Sequence, residues 1–166
     1  LVAIALMATP AFAFVETANN GPENVTVCFA IGTAAMTSGN VVVLSTTSAT
    51  RTVEFPGKEV TGTTTQGSAI YGVVIDTNTY TPAQMVQGRY IKVQTYGYCP
   101  IIKTTTEAAG ASGAIAIRDG LSTSASNFRA GLNGATGGRV TGSVVAFEAE
   151  SAEQAGTLTG FITGSL

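Results

Sequence analysis

Residues able to do acid, base or nucleophilic chemistry are scarce in this sequence. It contains no histidine, which rules out a Ser-His-Asp triad, a Cys-His dyad and any metal site that uses histidine ligands. The lysines Lys58, Lys92 and Lys103 lie in turn or strand contexts, and the sequence has no Ser-x-x-Lys motif. We therefore predict no catalytic residues, no metal site and no cofactor.

The acidic residues offer a second kind of chemistry, because paired carboxylates can hydrolyse glycosidic bonds. Glu148, Glu150 and Glu153 cluster late in the sequence, and Asp76 and Asp119 flank predicted strands. A glycosidase also needs a sugar cleft, which aromatic side chains normally line, and the chain has no tryptophan. We interpret these carboxylates as solvated strand ends.

The composition favours strands and tight turns. The 166 residues include 26 threonines and 20 glycines, and helix propensity is poor for both residue types. Charged residues make up 11% of the chain, against about 25% in typical soluble domains, so much of the surface must be neutral. We predict an all-β fold, a small β-barrel or sandwich of short strands with an apolar N-terminal arm. Such a surface is suited to association with other subunits.

Nine segments of β-forming residues are bounded by Gly, Pro, Asn or Ser. They are Val25–Ile31, Val41–Ser45, Thr52–Phe55, Ala69–Asp76, Tyr90–Tyr98, Ile101–Thr105, Ala114–Ile117, Val140–Glu148 and Thr157–Thr163. In residues 90–96 the even-numbered side chains are predicted to share one face of a strand and the odd-numbered ones the other, with one face in the core and one in solvent. Only Pro82–Gln87 and Ser151–Ala155 are compatible with a helical turn.

A weak internal similarity suggests a duplicated β unit. Ser38-Gly39-Asn40 precedes the apolar strand at Val41, and Arg118-Asp119-Gly120 precedes the segment that starts at Leu121. In each half the first strand is followed by a polar turn and then by an apolar strand that contains glycine. The pattern is compatible with two similar units packed face to face.

The first 14 residues are apolar and end in the small-residue pattern Ala11-Phe12-Ala13. Two interpretations stay open: the remnant of a secretion signal, and an ordered arm that docks on a partner. The run is too short to span a bilayer, which takes about 20 residues, so no membrane span is predicted. The docking interpretation assigns partner binding to the large apolar residues Leu1, Val2, Ile4, Leu6, Met7, Phe12 and Phe14. We divide the chain into an arm and linker at residues 1–22 and a β-barrel or sandwich domain at residues 23–166.

The two cysteines, Cys28 and Cys99, each lie in a predicted strand. They can form one disulfide if the chain matures in an oxidising compartment. The alternative is two buried small hydrophobic residues, since cysteine is among the most buried residue types.

The eight basic residues are scattered singly along the chain, and the net charge is −2. Nucleic-acid binding depends on clustered lysine and arginine side chains that neutralise phosphates. We therefore expect no nucleic acid among the partners. A carbohydrate-binding module is also disfavoured, because the five tyrosines and seven phenylalanines show no evident clustering into a sugar platform.

Residues 38–164 resemble the capsid decoration proteins, also called cement or head-stabilising proteins, of tailed bacteriophages. The resemblance lies in the order of these strings: S-G-N-V-V-V-L, S-A-I-Y-G-V-V-I-D, Q-G-R-Y-I-K-V-Q-T-Y-G-Y-C-P, I-R-D-G-L-S-T-S-A-S-N-F-R-A-G, G-R-V-T-G-S-V-V-A-F-E-A-E and T-L-T-G-F-I. Family members are compact β-barrels with strands in this order, and Asp119-Gly120 matches a turn typical of them. The apolar arm is the departure from the family pattern.

The resemblance implies a non-catalytic protein on the outside of a virion, where it clamps neighbouring capsid subunits. Its partners would be the major capsid protein and other copies of itself, with a trimer among the possible assemblies. A low-charge β surface can supply such contacts by edge pairing and apolar packing. The alternative is a secreted or cell-surface subunit of a bacterial or archaeal filament or coat, which the signal-like N-terminus favours.

Overall fold

A computed structural model describes residues 24–31, 34–45, 59–86, 89–106, 114–126, 128–132, 143–151 and 155–164. These residues form nine strands and one short helix. In chain order the elements are β1 (Asn24–Ala30), β2 (Val41–Leu44), β3 (Glu59–Thr61), β4 (Gly72–Val74), α1 (Pro82–Val86), β5 (Arg89–Thr105), β6 (Gly120–Thr123), β7 (Ala130–Leu132), β8 (Val144–Ala146) and β9 (Ala155–Ile162). The all-β prediction is confirmed, and the predicted helical turn at residue 82 is present.

The strands close into two five-stranded barrels that share β5. In the first barrel, the pairing runs from β1 to β3, β2, β4, the start of β5 and back to β1. In the second, it runs from the end of β5 to β7, β6, β8, β9 and back to β5. Each described strand therefore has a hydrogen-bonded neighbour on both sides over part of its length. Closure removes most of the free edge that pairing with another chain would need.

Strand β5 passes from one barrel to the other without interruption, so the prediction of two separate strands at this point was wrong. Gly97 adopts φ of 99°, a conformation in which glycine carries no steric penalty, and lies where the barrels meet. The register against β9 shifts between Cys99 and Ile102. Proline is tolerated at such a bulge because no ladder hydrogen bond is needed from its nitrogen. Pro100 therefore marks a bulge within the strand.

The predicted alternation in this strand is confirmed for residues 90–93 and breaks at Gln94. Ile91 and Val93 are buried, whereas Tyr90 and Lys92 are exposed. Gln94 belongs to the same predicted face as the exposed Tyr90 and Lys92, yet it is buried because the second barrel begins here. Its Nε2 donates to the backbone oxygen of Tyr98 at 2.6 Å and to that of Tyr96 at 3.2 Å.

The two barrels repeat one topology, as the internal similarity suggested. Each contains one parallel pair, β1 with β3 and β5 with β7, and its other four pairings are antiparallel. The turn before the second strand also repeats: Gly39 N donates to Val74 O at 2.8 Å, and Arg118 N donates to Ala146 O at 2.7 Å. Gly39 and Arg118 both have positive φ, 82° and 75°. Residue 39 in the first barrel thus corresponds to residue 118 in the second.

The hydrophobic core forms two clusters, one for each barrel. The first-barrel cluster includes Cys28, Val42, Ile91 and Val93, and the second-barrel cluster includes Ile102 and Leu121 among others. Each cluster also contains residues of the opposite barrel. Phe128, from the loop between β6 and β7, belongs to the first-barrel cluster, while Val41, Ile70 and Val73 belong to the second-barrel cluster. The barrels therefore pack as one body.

Backbone hydrogen bonds join the barrels at several places. Lys103 N donates to Gly39 O at 2.8 Å, and Val41 N donates to Phe128 O at 3.0 Å. Thr123 N donates to Ser68 O at 3.1 Å, and Ser68 N donates to Thr123 Oγ1 at 2.9 Å. This contact region between the barrels is named the junction.

Several strand predictions differ from the structure. The segment Ala114–Ile117 contains only an isolated bridge from Ile115 to Glu150, followed by a turn. Strands β3, β6 and β7 were not predicted, because they are three or four residues long and have few large apolar side chains. The predicted strand at Thr52–Phe55 and the predicted boundary between residues 22 and 23 lie outside the described residues.

Candidate interaction surface

The carboxylates that cluster late in the sequence do not converge on one site. Glu148 is exposed, and its Oε2 accepts a hydrogen bond from Thr159 N at 3.0 Å. Glu150 is only 9% exposed, so its interpretation as a solvated strand end was wrong. It is buried because its backbone pairs with Ile115 across the end of the second barrel. Glu153 lies outside the described residues.

Glu150 has an incompletely satisfied side chain. Its Oε2 accepts a hydrogen bond from the Thr104 hydroxyl, whereas its Oε1 is buried with no hydrogen-bond partner. The same oxygen would lie 2.1 Å from a Cβ atom on Gly156, so glycine leaves the space that the carboxyl group occupies. Arg129 Nη1 donates to the backbone oxygen of Thr104 at 2.7 Å and to that of Gly156 at 3.3 Å. The polar groups here support the end of the barrel.

We expect Thr104→Val to lower the free energy of unfolding by about 1–3 kcal/mol, because it leaves both carboxyl oxygens of Glu150 buried without a donor. Valine keeps the shape of threonine and suits a strand. Urea denaturation followed by circular dichroism measures the change. Thr157→Val on the exposed side of β9 is the control, with an expected change below about 0.5 kcal/mol. Equal effects of the two substitutions would contradict this assignment.

Two ionisable side chains have shifted pKa values that physical causes explain. Desolvation and repulsion from Arg129 both lower the pKa of Lys103, whose Nζ donates to Thr37 Oγ1 across the junction. Partial burial would raise the pKa of Asp76, but hydrogen bonds from Asn78 and Tyr80 bring it below its usual value. The Asp76 oxygens accept from Asn78 N at 3.2 Å and from Tyr80 Oη at 3.0 Å. Both arrangements are accounted for by local structure.

Four aromatic rings lie together on the outer face of the second barrel. Tyr96 meets Phe161 edge to face with centroids 5.3 Å apart, and Tyr98 stacks on Phe147 at 6.1 Å. The rings of Phe147 and Phe161 are 6.4 Å apart and tilted by 35°. Phe147 is 44% exposed, and the other three are half-buried. This group of four rings is named the aromatic patch.

The register of β5, β8 and β9 produces this patch. Tyr98 lies opposite Phe161, and Phe161 lies opposite Val145, so the three form a row across the outer face of the sheet. The fold therefore brings together aromatic residues that show no evident clustering in the sequence. Tyr96 and Tyr98 are two residues apart, a spacing that places both on one face of a strand. The phenylalanines are distant in sequence. The pairing of β5 with β9 brings Phe161 beside the tyrosines, and the pairing of β8 with β9 brings Phe147 beside them.

A surface of this kind favours association with another macromolecule. Aromatic side chains contribute large apolar areas at protein interfaces, and pairs of rings add specific geometry. Across the described residues, no group of three or more His, Cys, Asp or Glu side chains is placed to hold a metal ion. The aromatic patch is the strongest candidate for a functional surface among the described residues.

The two cysteines are buried in different barrels. Cys28 lies opposite Ile91 at the start of β5, while Cys99 is eight residues further along that strand. Eight residues of strand span roughly 26 Å, whereas the Cα atoms of a disulfide lie within about 7 Å. This geometry supports the alternative of two separately buried cysteines.

We expect both cysteines to react with a thiol reagent when the protein is unfolded without reductant. The measurement is a titration with Ellman's reagent in denaturant, compared with the folded protein, in which burial should slow the reaction. The expected result is two reactive groups per chain. No reaction until a reductant is added would instead establish a disulfide.

The apolar arm at residues 1–14, including the predicted partner-binding residues, lies outside the described residues. Among the described helical segments, none has the length and hydropathy to cross a membrane.

Comparison with known proteins finds similarity only among solved structures, and it is distant. No protein-family profile and no curated protein matches the sequence. The fold is similar to the head fiber gp8.5 N base in bacteriophage phi29, with a TM-score of 0.48 and 13% sequence identity. The similarity covers 87% of this chain and 98% of that one. A similarity this distant does not carry a functional argument.

Proposed function

We propose that this protein is a non-catalytic structural component of a tailed-bacteriophage head. In this role it binds the outside of the capsid and stabilises the shell by clamping neighbouring subunits. The observation that carries the proposal is the aromatic patch, exposed on a closed double barrel whose sequence contains no histidine and few charges. The sequence resemblance to capsid decoration proteins supports the same role.

The mode of attachment follows from the way the barrels close. Because the strands are paired around both rings, extension of a sheet by a partner strand is disfavoured over most of the surface. Contacts between outward-facing side chains can provide the affinity instead. Individual contacts of this kind are weak, but a capsid presents many equivalent positions, and simultaneous attachment to several of them raises the overall affinity.

The test is co-sedimentation of the purified protein with capsids of a phage that encodes it, after removal of their decoration. The expected result is saturable binding with a fixed ratio to the major capsid protein, and greater resistance of the decorated capsids to heat. Absence of binding to both expanded and unexpanded capsids would contradict the proposal. Bovine serum albumin at the same concentration controls for trapping in the pellet.

The apolar arm is proposed to dock on another subunit of the assembly. Burying each of its seven large apolar side chains contributes on the order of 1.5–3 kcal/mol, so exposure of the arm in water is unfavourable. We expect deletion of residues 1–14 to leave a folded domain that no longer binds capsids. Circular dichroism and co-sedimentation measure these two properties separately. Undiminished binding, or loss of the fold, would contradict this role for the arm.

A secreted or cell-surface coat subunit is the second candidate. The apolar run that ends in Ala11-Phe12-Ala13 favours it, because small residues at this spacing precede signal cleavage sites. N-terminal sequencing of the protein purified from its natural source distinguishes the two candidates. Cleavage after Ala13 would favour export over the docking arm.

A further inference from the structure

The aromatic patch lies at the position in the second barrel that corresponds to the junction in the first. Val41, Val73 and Gln94 lie side by side across β2, β4 and β5. The corresponding row across β6, β8 and β9 is Gly120, Val145 and Phe161. The correspondence follows from the pairing, since each row occupies the same three strands of the repeated topology.

These two rows have different surroundings. In the first barrel, Val41 is 2% exposed and Val73 is completely buried, because both pack into the core cluster of the second barrel. In the second barrel, Val145 and Phe161 are only half-buried, and the neighbouring Phe147 is 44% exposed. The second barrel therefore presents an apolar face where the first barrel holds a neighbour.

The opposite side of the junction has an exposed counterpart as well. Ile101 is 46% exposed, but one side of it touches the first barrel, since a Cβ atom on Gly39 would be 2.9 Å from its Cγ2 atom. Thr123 contributes the hydrogen bonds to Ser68. Val27 corresponds to Ile101, since the next residues, Cys28 and Ile102, occupy equivalent registers against β5 and β9.

Leu44 corresponds to Thr123 in the same way, since Leu44 pairs with Val60 of β3 and Thr123 pairs with Ala130 of β7. Val27 is 55% exposed and Leu44 is 44% exposed. The first barrel therefore exposes two large apolar side chains at positions that the second barrel uses to contact its neighbour. These two residues define the Val27–Leu44 face.

We propose that the aromatic patch binds the Val27–Leu44 face of a second copy of this chain, so that copies associate head to tail by repeating the junction. The partner is a second copy because this chain already contains one instance of the same packing between similar barrels. Such an interface is heterologous, and repeated association produces a ring or a filament. This association does not depend on the proposed role on a capsid. Where copies associate on a capsid, the patch joins them to one another, and the arm and other outward-facing side chains contact the shell.

Charge favours the head-to-tail arrangement over pairing of two aromatic patches. Glu148 is exposed next to Phe147. Pairing of two patches would bring two Glu148 side chains together, whereas head-to-tail contact keeps them apart. Like charges juxtaposed at an interface oppose association.

Sedimentation equilibrium of the purified full chain over a range of concentrations tests the proposal. The wild type is expected to self-associate. Phe147→Ser on the patch and Val27→Glu on the other face are each expected to weaken association by about tenfold or more, as loss of a central contact does. Tyr90→Ser is the control, because the Tyr90 ring is about as exposed as that of Phe147. The residue of the second barrel that corresponds to Tyr90 is Thr157, and strand β5 lies between Thr157 and Gly39 of the junction. Tyr90 is therefore expected to lie outside the interface. The control variant should associate like the wild type.

A mixing experiment distinguishes the two arrangements. Each single variant keeps one intact face, so a mixture of Phe147→Ser and Val27→Glu is expected to form 1:1 dimers that do not grow further. If Val27→Glu alone still dimerises while Phe147→Ser does not, the patch pairs with itself and the proposal fails. A wild type that remains monomeric throughout the range also overturns it.

Folding of each variant is checked by circular dichroism. Leu44→Glu and Tyr98→Ser repeat the test on the same two faces if either first variant is unfolded. No capsid is present in these measurements, so their outcome is separate from that of the capsid-binding test.

Discussion

Phe128→Ala is expected to destabilise the protein by about 3–5 kcal/mol, the range for removal of a buried phenylalanine. Phe128 is 4% exposed and packs in the core cluster of the first barrel, although it belongs to a loop of the second. Its removal leaves a cavity between the barrels. Alanine does not relieve the backbone strain at residue 128, because φ of 63° is unfavourable for any residue with a Cβ atom.

Urea denaturation followed by circular dichroism measures the loss. We expect one transition for both barrels, since Phe128 and β5 belong to both. Phe128→Leu, which retains most of the apolar volume, is expected to lose less stability than Phe128→Ala. Phe147→Ala provides the exposed control, with a change below about 1 kcal/mol. A loss below about 1 kcal/mol for Phe128→Ala would mean that the ring does not hold the junction together.

Gly72→Ala is expected to lower the free energy of unfolding by about 3 kcal/mol, at the upper end of the range for overpacked interiors. A Cβ atom on Gly72 would lie 2.5 Å from the backbone oxygen of Gln94 and 2.5 Å from Cγ1 of Val93. The carbonyl cannot move away without disturbing the pairing of β4 with β5. Strand β4 has to shift, and its neighbour Val73 is part of the junction.

Gly164→Ala is the matched comparison for this effect. At Gly164 the nearest atom to a new Cβ is 3.8 Å away, so the new side chain meets no steric clash with a neighbour. The loss of stability on Gly164→Ala then comes only from the backbone φ of 83°. The expected loss there is about 1 kcal/mol, the preference of the left-handed region for glycine. Thermal unfolding of both variants measures the difference. Equal destabilisation would indicate that conformation, rather than the close approach of β4 to β5, accounts for the Gly72 effect.

The class of fold was readable from the sequence because it depends on local properties. Threonine-rich and valine-rich segments separated by glycine and asparagine favour short strands wherever they lie. The side chains of residues 90–93 alternate between exposed and buried as predicted, because this part of β5 belongs to the first barrel alone. The helical turn at residue 82 was predicted for a similar reason, since proline suits the first turn of a helix.

The junction could not be read from the sequence because it joins residues that are distant along the chain. Gln94 is polar, and its burial depends on the second barrel starting on the same strand. Pro100 indicated the end of a strand, but a bulge accommodates it inside β5. The repeated turn carries glycine at residue 39 and arginine at residue 118, so equivalent conformations share little sequence.

The sequence by itself determined that this protein is all-β, has little charge and lacks the residues of the common histidine-based catalytic sites. These properties follow from residue type and local periodicity, and they hold in any arrangement of the strands. Only the tertiary structure decided that two barrels share β5 and that Phe128 of one barrel packs in the other. It also decided that Tyr98, Phe147 and Phe161 form one patch, because strand register sets which side chains meet on a sheet and residue order alone does not specify it.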